Sequence, residues 1–167
     1  MNTKIIKENM ETTEFKEENW YCYVLKSIKK PMTYCGITNN LKNRKDQHNK
    51  IKKGGAKSTA SGGPWEFYII IKGFKSRSEV SSFEWLMKHP TREKKRPKEY
   101  TGEDGRVKSL NLILGLDRWS DKTEGLQKAI EEGRQYFVYV DPKYSKILDK
   151  RKMKTNIVIK DISELKY

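Results

Sequence analysis

The apolar positions fall in short runs broken by glycine, proline and charge, and their spacing predicts alternating strands and helices. Trp20-Tyr21-Cys22-Tyr23-Val24-Leu25 is aromatic and β-prone throughout and reads as a strand apolar on both faces. Lys29-Lys30-Pro31 marks a turn and Thr33-Tyr34-Cys35-Gly36-Ile37 a second strand, so the pair makes a hairpin. Thr38 or Asn39 is placed to cap a helix that runs through Leu41 to about Lys52, where Gly54-Gly55 ends it. A polar loop over 57–64 leads to a third strand, Trp65 to Gly73, centred on Ile69-Ile70-Ile71. Ser76 or Ser78 starts a second helix through Val80, Phe83, Glu84 and Met87, which stops before Pro90. Residues 90–106 have no apolar period and read as a charged loop, after which Val107, Leu110, Leu112, Ile113, Leu114 and Leu116 form a short helix. Beyond Trp119 the pattern weakens to a helix over 123–133 and strands over 135–140 and 155–159. The first 18 residues are polar and acidic and read as a flexible, frayed arm or a short helix. The expected division is therefore an arm over 1–18, a body over 19–119 and a C-terminal extension over 120–167, in the α+β class.

Charge sharpens this picture. The 167 residues hold 36 Lys+Arg against 22 Asp+Glu, a net +14, and the arm alone carries −2, so the rest carries +16. The cations crowd into Lys42 to Lys57, Lys88 to Lys98 and Lys143 to Lys154. Such a surface suits a polyanion, and nucleic acid above all, because each neutralised phosphate releases counterions. The basic segments lack the continuous apolar face that an anionic membrane surface requires. No stretch approaches the ~20 apolar residues of a membrane span, and the N-terminus has no secretory pattern. Two cysteines cannot build a disulfide framework or a multi-Cys zinc site. A reducing, intracellular compartment, nucleus or cytoplasm, is the expected location.

Candidate chemistry clusters in residues 20–89. Tyr23 and Tyr34 lie on the two arms of the hairpin, and Gly36 lets the backbone pass close to a ligand or to the next helix. Arg44 and His48 share a helix face at i and i+4. Glu84 sits between Phe83 and Trp85, a poor place for a carboxylate without a cationic partner. Together these residues suffice for phosphodiester hydrolysis. A lone carboxylate can hold a hard divalent ion that keeps its waters. An arginine can fork onto phosphate oxygens, and a phenol or imidazole can relay the proton of water. Ordinary readings exist for each: strand aromatics, helix-surface groups bonded to Asp46 or water, a partly exposed acid. Cys22 and Cys35 read as core thiols and His89 as a helix end.

Tyr21-Cys22-Tyr23, Tyr34-Cys35-Gly36, Asn40-Leu41-x-x-Arg44-x-x-x-His48, Gly55-Ala56-Lys57 and Phe83-Glu84-Trp85 resemble, in this order and spacing, the GIY-YIG endonuclease superfamily. Gly63-Pro64-Trp65-Glu66 and Gly73-Phe74 resemble in particular its eukaryotic structure-selective branch. The resemblance implies a small three-stranded sheet flanked by helices, with 120–167 as a basic α/β extension. It implies metal-dependent hydrolysis of phosphodiesters in branched DNA (flaps, forks, junctions), with one Mg²⁺ or Mn²⁺ per site. On it, Glu84 is the metal ligand, Arg44 the phosphate contact, and Tyr23 the general base with Tyr34 orienting water or phosphate, the two phenols being exchangeable. His48 shares proton transfer. Lys42, Lys45, Lys52, Lys53, Lys57, Lys94 and Arg96 are the expected DNA-binding cations.

The chain departs from the family pattern in places. Tyr21 replaces the first glycine of the family's name, and Cys22 and Cys35 replace both isoleucines. Arg96 stands where many members place an asparagine, for which Asn111 is the candidate substitute. The cysteine-rich zinc module of the eukaryotic branch is absent from the sequence, which leaves a scaffold protein or a second copy of the chain as the open partner classes. Two further readings use the same fold: a DNA-binding adaptor without catalysis, and a sequence-specific nuclease.

Overall fold

The computed structural model describes residues 19–167; the expected acidic arm lies outside the described residues. Three antiparallel strands come first: β1 (Tyr21–Ser27), β2 (Thr33–Thr38) and β3 (Trp65–Lys72), with β1 in the middle. Helix α1 (Leu41–His48) separates β2 from β3, and α2 (Arg77–Lys88) and α3 (Gly102–Ile113) follow β3. The chain then forms α4 (Leu126–Glu131), β4 (Tyr136–Val140) and β5 (Ile157–Asp161). β4 pairs antiparallel with β3 and β5 parallel with β4, so the expected three strands become a five-stranded sheet in the order β2-β1-β3-β4-β5. The 120–167 extension thus occupies what would otherwise be the free edge of β3, a row of backbone groups open to pairing.

Alternation of side chains divides the core between the two faces of the sheet. On one face Cys22, Val24, Cys35, Ile69 and Ile71 pack under Val80, Phe83 and Met87 of α2 and Val107, Leu110 and Ile113 of α3. Val138, Val140 and Ile157 of the extension lie in this same core. On the other face Tyr23, Leu25, Phe67, Ile70 and Tyr139 meet Leu41 of α1, with Ile162 and Leu165 closing the far side. β3 cannot alternate throughout: Val24 pairs with Ile69 and Leu25 with Phe67, so Tyr68 is an extra residue. This bulge lets Tyr68 and Ile69 both enter the helical face.

Several boundaries differ from the expected ones: α4 is shorter than the 123–133 expected and β5 lies two residues later than 155–159, and three differences lie in α1 and α3. The α1 cap is Asn40, whose side chain accepts from Asn43 N at 2.9 Å, rather than Thr38 or Asn39. α1 stops at His48, four residues early. There the Asn49 side chain bonds both N and O of Trp65, at 2.7 and 3.0 Å, and Lys50 turns left-handed at φ 62°. α3 begins at Gly102, inside the stretch read as loop, with Glu103 and Asp104 in its first turn, where acids favour a helix start. Arg106, drawn from that charged stretch, is buried and donates to Met87 O at 2.9 Å and Thr33 Oγ1 at 3.3 Å.

Candidate active site

β1 and β2 pair so that Tyr23 lies opposite Gly36. The glycine is required by space. A Cβ at residue 36 would lie 2.4 Å from Tyr23 Oη and 2.7 Å from Cζ, so the Tyr23 ring lies flat across β2 only because that strand has no side chain there. Tyr34, two residues earlier on the same face, holds its ring 6.3 Å from Tyr23 and remains partly exposed, whereas Tyr23 is buried.

α1 lays its Arg44–His48 face over this pair. Tyr23 Oη is 2.8 Å from His48 Nε2 and receives the Arg44 Nε–H at 3.1 Å. The His48 ring packs 4.9 Å from Tyr34. Arg44 Nη1 donates to Gln47 Oε1 at 2.9 Å and to Gly54 O at 2.8 Å. Gly54 has φ +105°, a conformation that favours glycine and brings the loop back onto α1. Behind His48, Nδ1 meets Thr59 Oγ1 at 2.9 Å. Arg44 and His48 therefore bond to Tyr23 of β1, to Gln47 of α1 and to the loop over 54–59, and among the described residues neither side chain bonds to Asp46.

Burial sets the titration of this group. It pushes the Tyr23 phenol well above the ordinary tyrosine range, and the adjacent Arg44 offsets part of that. It also holds the His48 imidazole down to about 4, with the Arg44 charge adding to the effect. The unfolded chain binds a proton at His48 below about 6.5 and the folded one does not, so stability present above that pH is lost as pH falls towards 4. In urea denaturation, the decline in stability between pH 6.5 and 4 is expected to be shallower for His48→Gln than for wild type. Parallel declines would show that His48 titrates normally.

Glu84 stands apart from this cluster. It lies on α2, over the face that holds Cys35, and its Oε1 accepts from Lys88 Nζ at 2.5 Å. The Lys88 ammonium loses by burial, yet the Glu84 carboxylate, with smaller contributions from Cys35 and Tyr34, holds it above its ordinary value. α2, which carries this acid–base pair, packs beside β2, the edge strand that carries Tyr34. The cationic partner expected for Glu84 is Lys88. Among the described residues no hydrogen bond joins Glu84 to Tyr23, Tyr34, Arg44 or His48, and no group of three or more His, Cys, Asp or Glu side chains could hold a metal ion. Glu84 itself offers one carboxylate, whose Oε2 makes no hydrogen bond among the described residues. That fits a hard divalent ion that retains its waters and takes its remaining ligands from a phosphate.

The expected DNA-binding cations divide by location. Lys42 is exposed on α1, and Lys45 lies over the Phe67 ring, 6.0 Å from its centre. Lys52 and Lys53 join Gln47, Gly54, Ala56 and Thr59 around an open pocket of about 300 Å³ beside His48. Lys57 is exposed in the same loop. Lys94 and Arg96 lie beyond α2, with Lys94 exposed and the Arg96 Nε buried and, among the described residues, without a hydrogen-bond partner. Asn111 does not reach the site: its amide donates to Ile147 O at 2.8 Å and accepts from Asp149 N at 2.7 Å, tying α3 to the extension. Cys22 and Cys35 are buried free thiols with sulfurs 3.8 Å apart, as expected of core residues.

This ordered set has a known counterpart: residues 19–98 match the family described as the GIY-YIG catalytic domain. Residues 19–98 are a GIY-YIG domain. The chain is also similar to curated proteins called structure-specific endonuclease subunit slx1 or its homologue. That of Talaromyces marneffei is 46% identical over 71 residues, covering 41% of this chain and 18% of the relative. The Drosophila persimilis homologue is 37% identical over 97 residues, covering 52% of this chain and 33% of the relative. The Giardia intestinalis homologue is 38% identical over 73 residues. The chain spans a third or less of these relatives' lengths. Within the GIY-YIG domain, sequence reading missed Thr59, Gln47 and Lys88. Lys88 was legible as the i+4 partner of Glu84; Thr59, inside a Ser/Gly/Lys loop, carried no local signal. No described helix is long and apolar enough to cross a membrane.

Proposed function

We propose that this protein is a structure-selective DNA endonuclease that hydrolyses phosphodiesters in branched DNA, in the nucleus or cytoplasm. The observation that carries the reading is the contact of Tyr23 with both Arg44 and His48 inside a GIY-YIG domain. The names of its relatives and the net +14 charge support the substrate class. Arg44 meets the scissile phosphate and stabilises the charge that builds on it. Tyr34, the partly exposed phenol, orients water or phosphate. Tyr23 is the base. Its raised pKa rules out a standing phenolate at neutral pH, so its proton passes to His48 Nε2 as that of water arrives. Phosphate bound at Arg44 screens the cation that helps hold His48 down, so substrate itself makes His48 a better acceptor. Glu84 would hold a divalent cation, Mg²⁺ or Mn²⁺, which supplies Lewis-acid stabilisation of the phosphate. Lys42, Lys45, Lys52, Lys53 and Lys57 follow the DNA backbone beside α1, with Lys94 and Arg96 reaching it beyond α2. A scaffold protein or a second copy is the class of protein partner.

The test is incubation with flap, fork and four-way-junction DNA and with linear duplex of the same sequence, in Mg²⁺ or Mn²⁺, using Glu84→Gln as control. Cleavage near branch points by wild type alone is expected. Salt-sensitive binding without cleavage would support an adaptor instead, and cutting of one linear sequence would support a sequence-specific enzyme.

A further inference from the structure

Hydrogen-bond accounting behind His48 fixes where its proton lies. The Thr59 hydroxyl is 2.8 Å from Ala56 O and 2.9 Å from His48 Nδ1. Ala56 O also accepts the Thr59 backbone N–H at 3.0 Å, but a hydroxyl has one hydrogen and a carbonyl can only accept, so both contacts of the hydroxyl are hydrogen bonds only when its proton goes to Ala56. Thr59 Oγ1 is then the acceptor of a hydrogen on His48 Nδ1. In the neutral imidazole the other nitrogen, Nε2, is bare and must be the acceptor of the Tyr23 hydroxyl proton. Arg44 Nε closes the order by donating to the remaining face of Tyr23 Oη. The directions from Tyr23 to Ala56 follow from that one hydroxyl, and the Arg44 guanidinium can only donate.

We propose that Thr59 is a positioning residue: by accepting from His48 Nδ1 it fixes the tautomer that points the Tyr23 proton at His48. It touches no substrate and acts through His48. The loop that carries it is built for this placement. Thr59 is 1% exposed, and its carbonyl receives the Trp65 indole N–H at 2.9 Å. Without the hydroxyl, a buried Nδ1–H would lack an acceptor. The opposite tautomer, with Nε2–H donating to Tyr23, would then be favoured, because an unpaired buried donor is costly. In that state Tyr23 cannot pass its proton to His48. The groups facing the imidazole are Tyr23 from β1, Tyr34 from β2, Arg44 from α1 and Thr59 from the loop.

This inference rests on the nuclease reading for its consequence but not for its structural content, so two readouts separate them. The chain has two histidines, and a His89→Gln background leaves His48 alone in the imidazole ¹⁵N spectrum. Protonated Nδ1 and bare Nε2 are expected at neutral pH, with that pattern lost in Thr59→Val and kept in Thr59→Ser. In single-turnover cleavage of branched DNA, Thr59→Val is expected to fall roughly 10²-fold, the low end of what positioned proton transfer contributes. Its DNA affinity should stay unchanged and its pH–rate profile should shift; Thr59→Ser should recover most of the rate. An Nε2–H tautomer in the parent spectrum overturns the proposal, and this measurement stands even if Thr59→Val fails to fold. So does a folded Thr59→Val that cleaves at the wild-type rate. If wild type cleaves nothing, the nuclease reading fails, while the spectrum still decides the tautomer.

Discussion

Gly36→Ala is expected to cut single-turnover cleavage by roughly 10²-fold or more while leaving the protein folded. The added methyl would lie 2.4 Å from Tyr23 Oη, 2.7 Å from Cζ and 3.0 Å from Tyr34 Cε1. The backbone tolerates alanine, since residue 36 is not among those with positive φ. The three nearest atoms all belong to the two phenols, and the closest two to Tyr23, so relief is expected from the Tyr23 ring, with β2 paired along its length to β1. A shift of that ring breaks the contacts of its hydroxyl with His48 at 2.8 Å and Arg44 at 3.1 Å. Displacements of about 1 Å in a catalytic group can cost 10²-fold, whereas overpacking of this kind costs roughly 1–3 kcal/mol of stability. Cleavage rates and urea denaturation of the same preparation separate the two effects. A folded variant that cuts within about threefold of wild type would show that the position of Tyr23 is immaterial to catalysis.

Glu84→Gln is expected to lower cleavage by roughly 10²–10³-fold with DNA binding intact. Loss of a metal ligand removes several kcal/mol of charge stabilisation, at about 1.4 kcal/mol per factor of ten. The amide keeps the shape of the side chain but no longer pairs ionically with Lys88, which is 2.5 Å away. Removing a negative charge from a chain of net +14 should, if anything, tighten DNA binding. Metal dependence separates a ligand from a structural acid. The residual activity of the variant should rise at Mg²⁺ concentrations that saturate wild type. Equal product yields and equal metal dependence for the two proteins would remove Glu84 from the site.

Much of this protein was legible in its sequence because the signals are local. The hairpin followed from two β-prone runs around a Lys-Pro turn, and α2 from an apolar face at helical spacing between Ser76 and Pro90. The shared face of Arg44 and His48 followed from the 3.6-residue repeat, and the core placement of Cys22 and Cys35 from strand alternation. The early end of α1 and the early start of α3 were not legible, because each is decided by partners remote in the chain: Asn49 with Trp65, and Arg106 with Met87 and Thr33. Nor was the Tyr68 bulge, since Ile69-Ile70-Ile71 satisfies either register equally.

What the sequence by itself determined is the inventory: a small α+β frame, a cationic surface, and the phenols, guanidinium, imidazole and carboxylate in their order. What only the tertiary structure decided is their relation. Strand alternation places Tyr23 and Tyr34 on the α1 face and α2, which carries Glu84, over the opposite one, so the acid pairs with Lys88 of its own helix and not with the others. Thr59, silent in the sequence, becomes the partner of His48 because the glycine loop folds back onto α1. Hydrogen bonds depend on distance and direction between atoms that the chain brings together last, and no spacing along it encodes them.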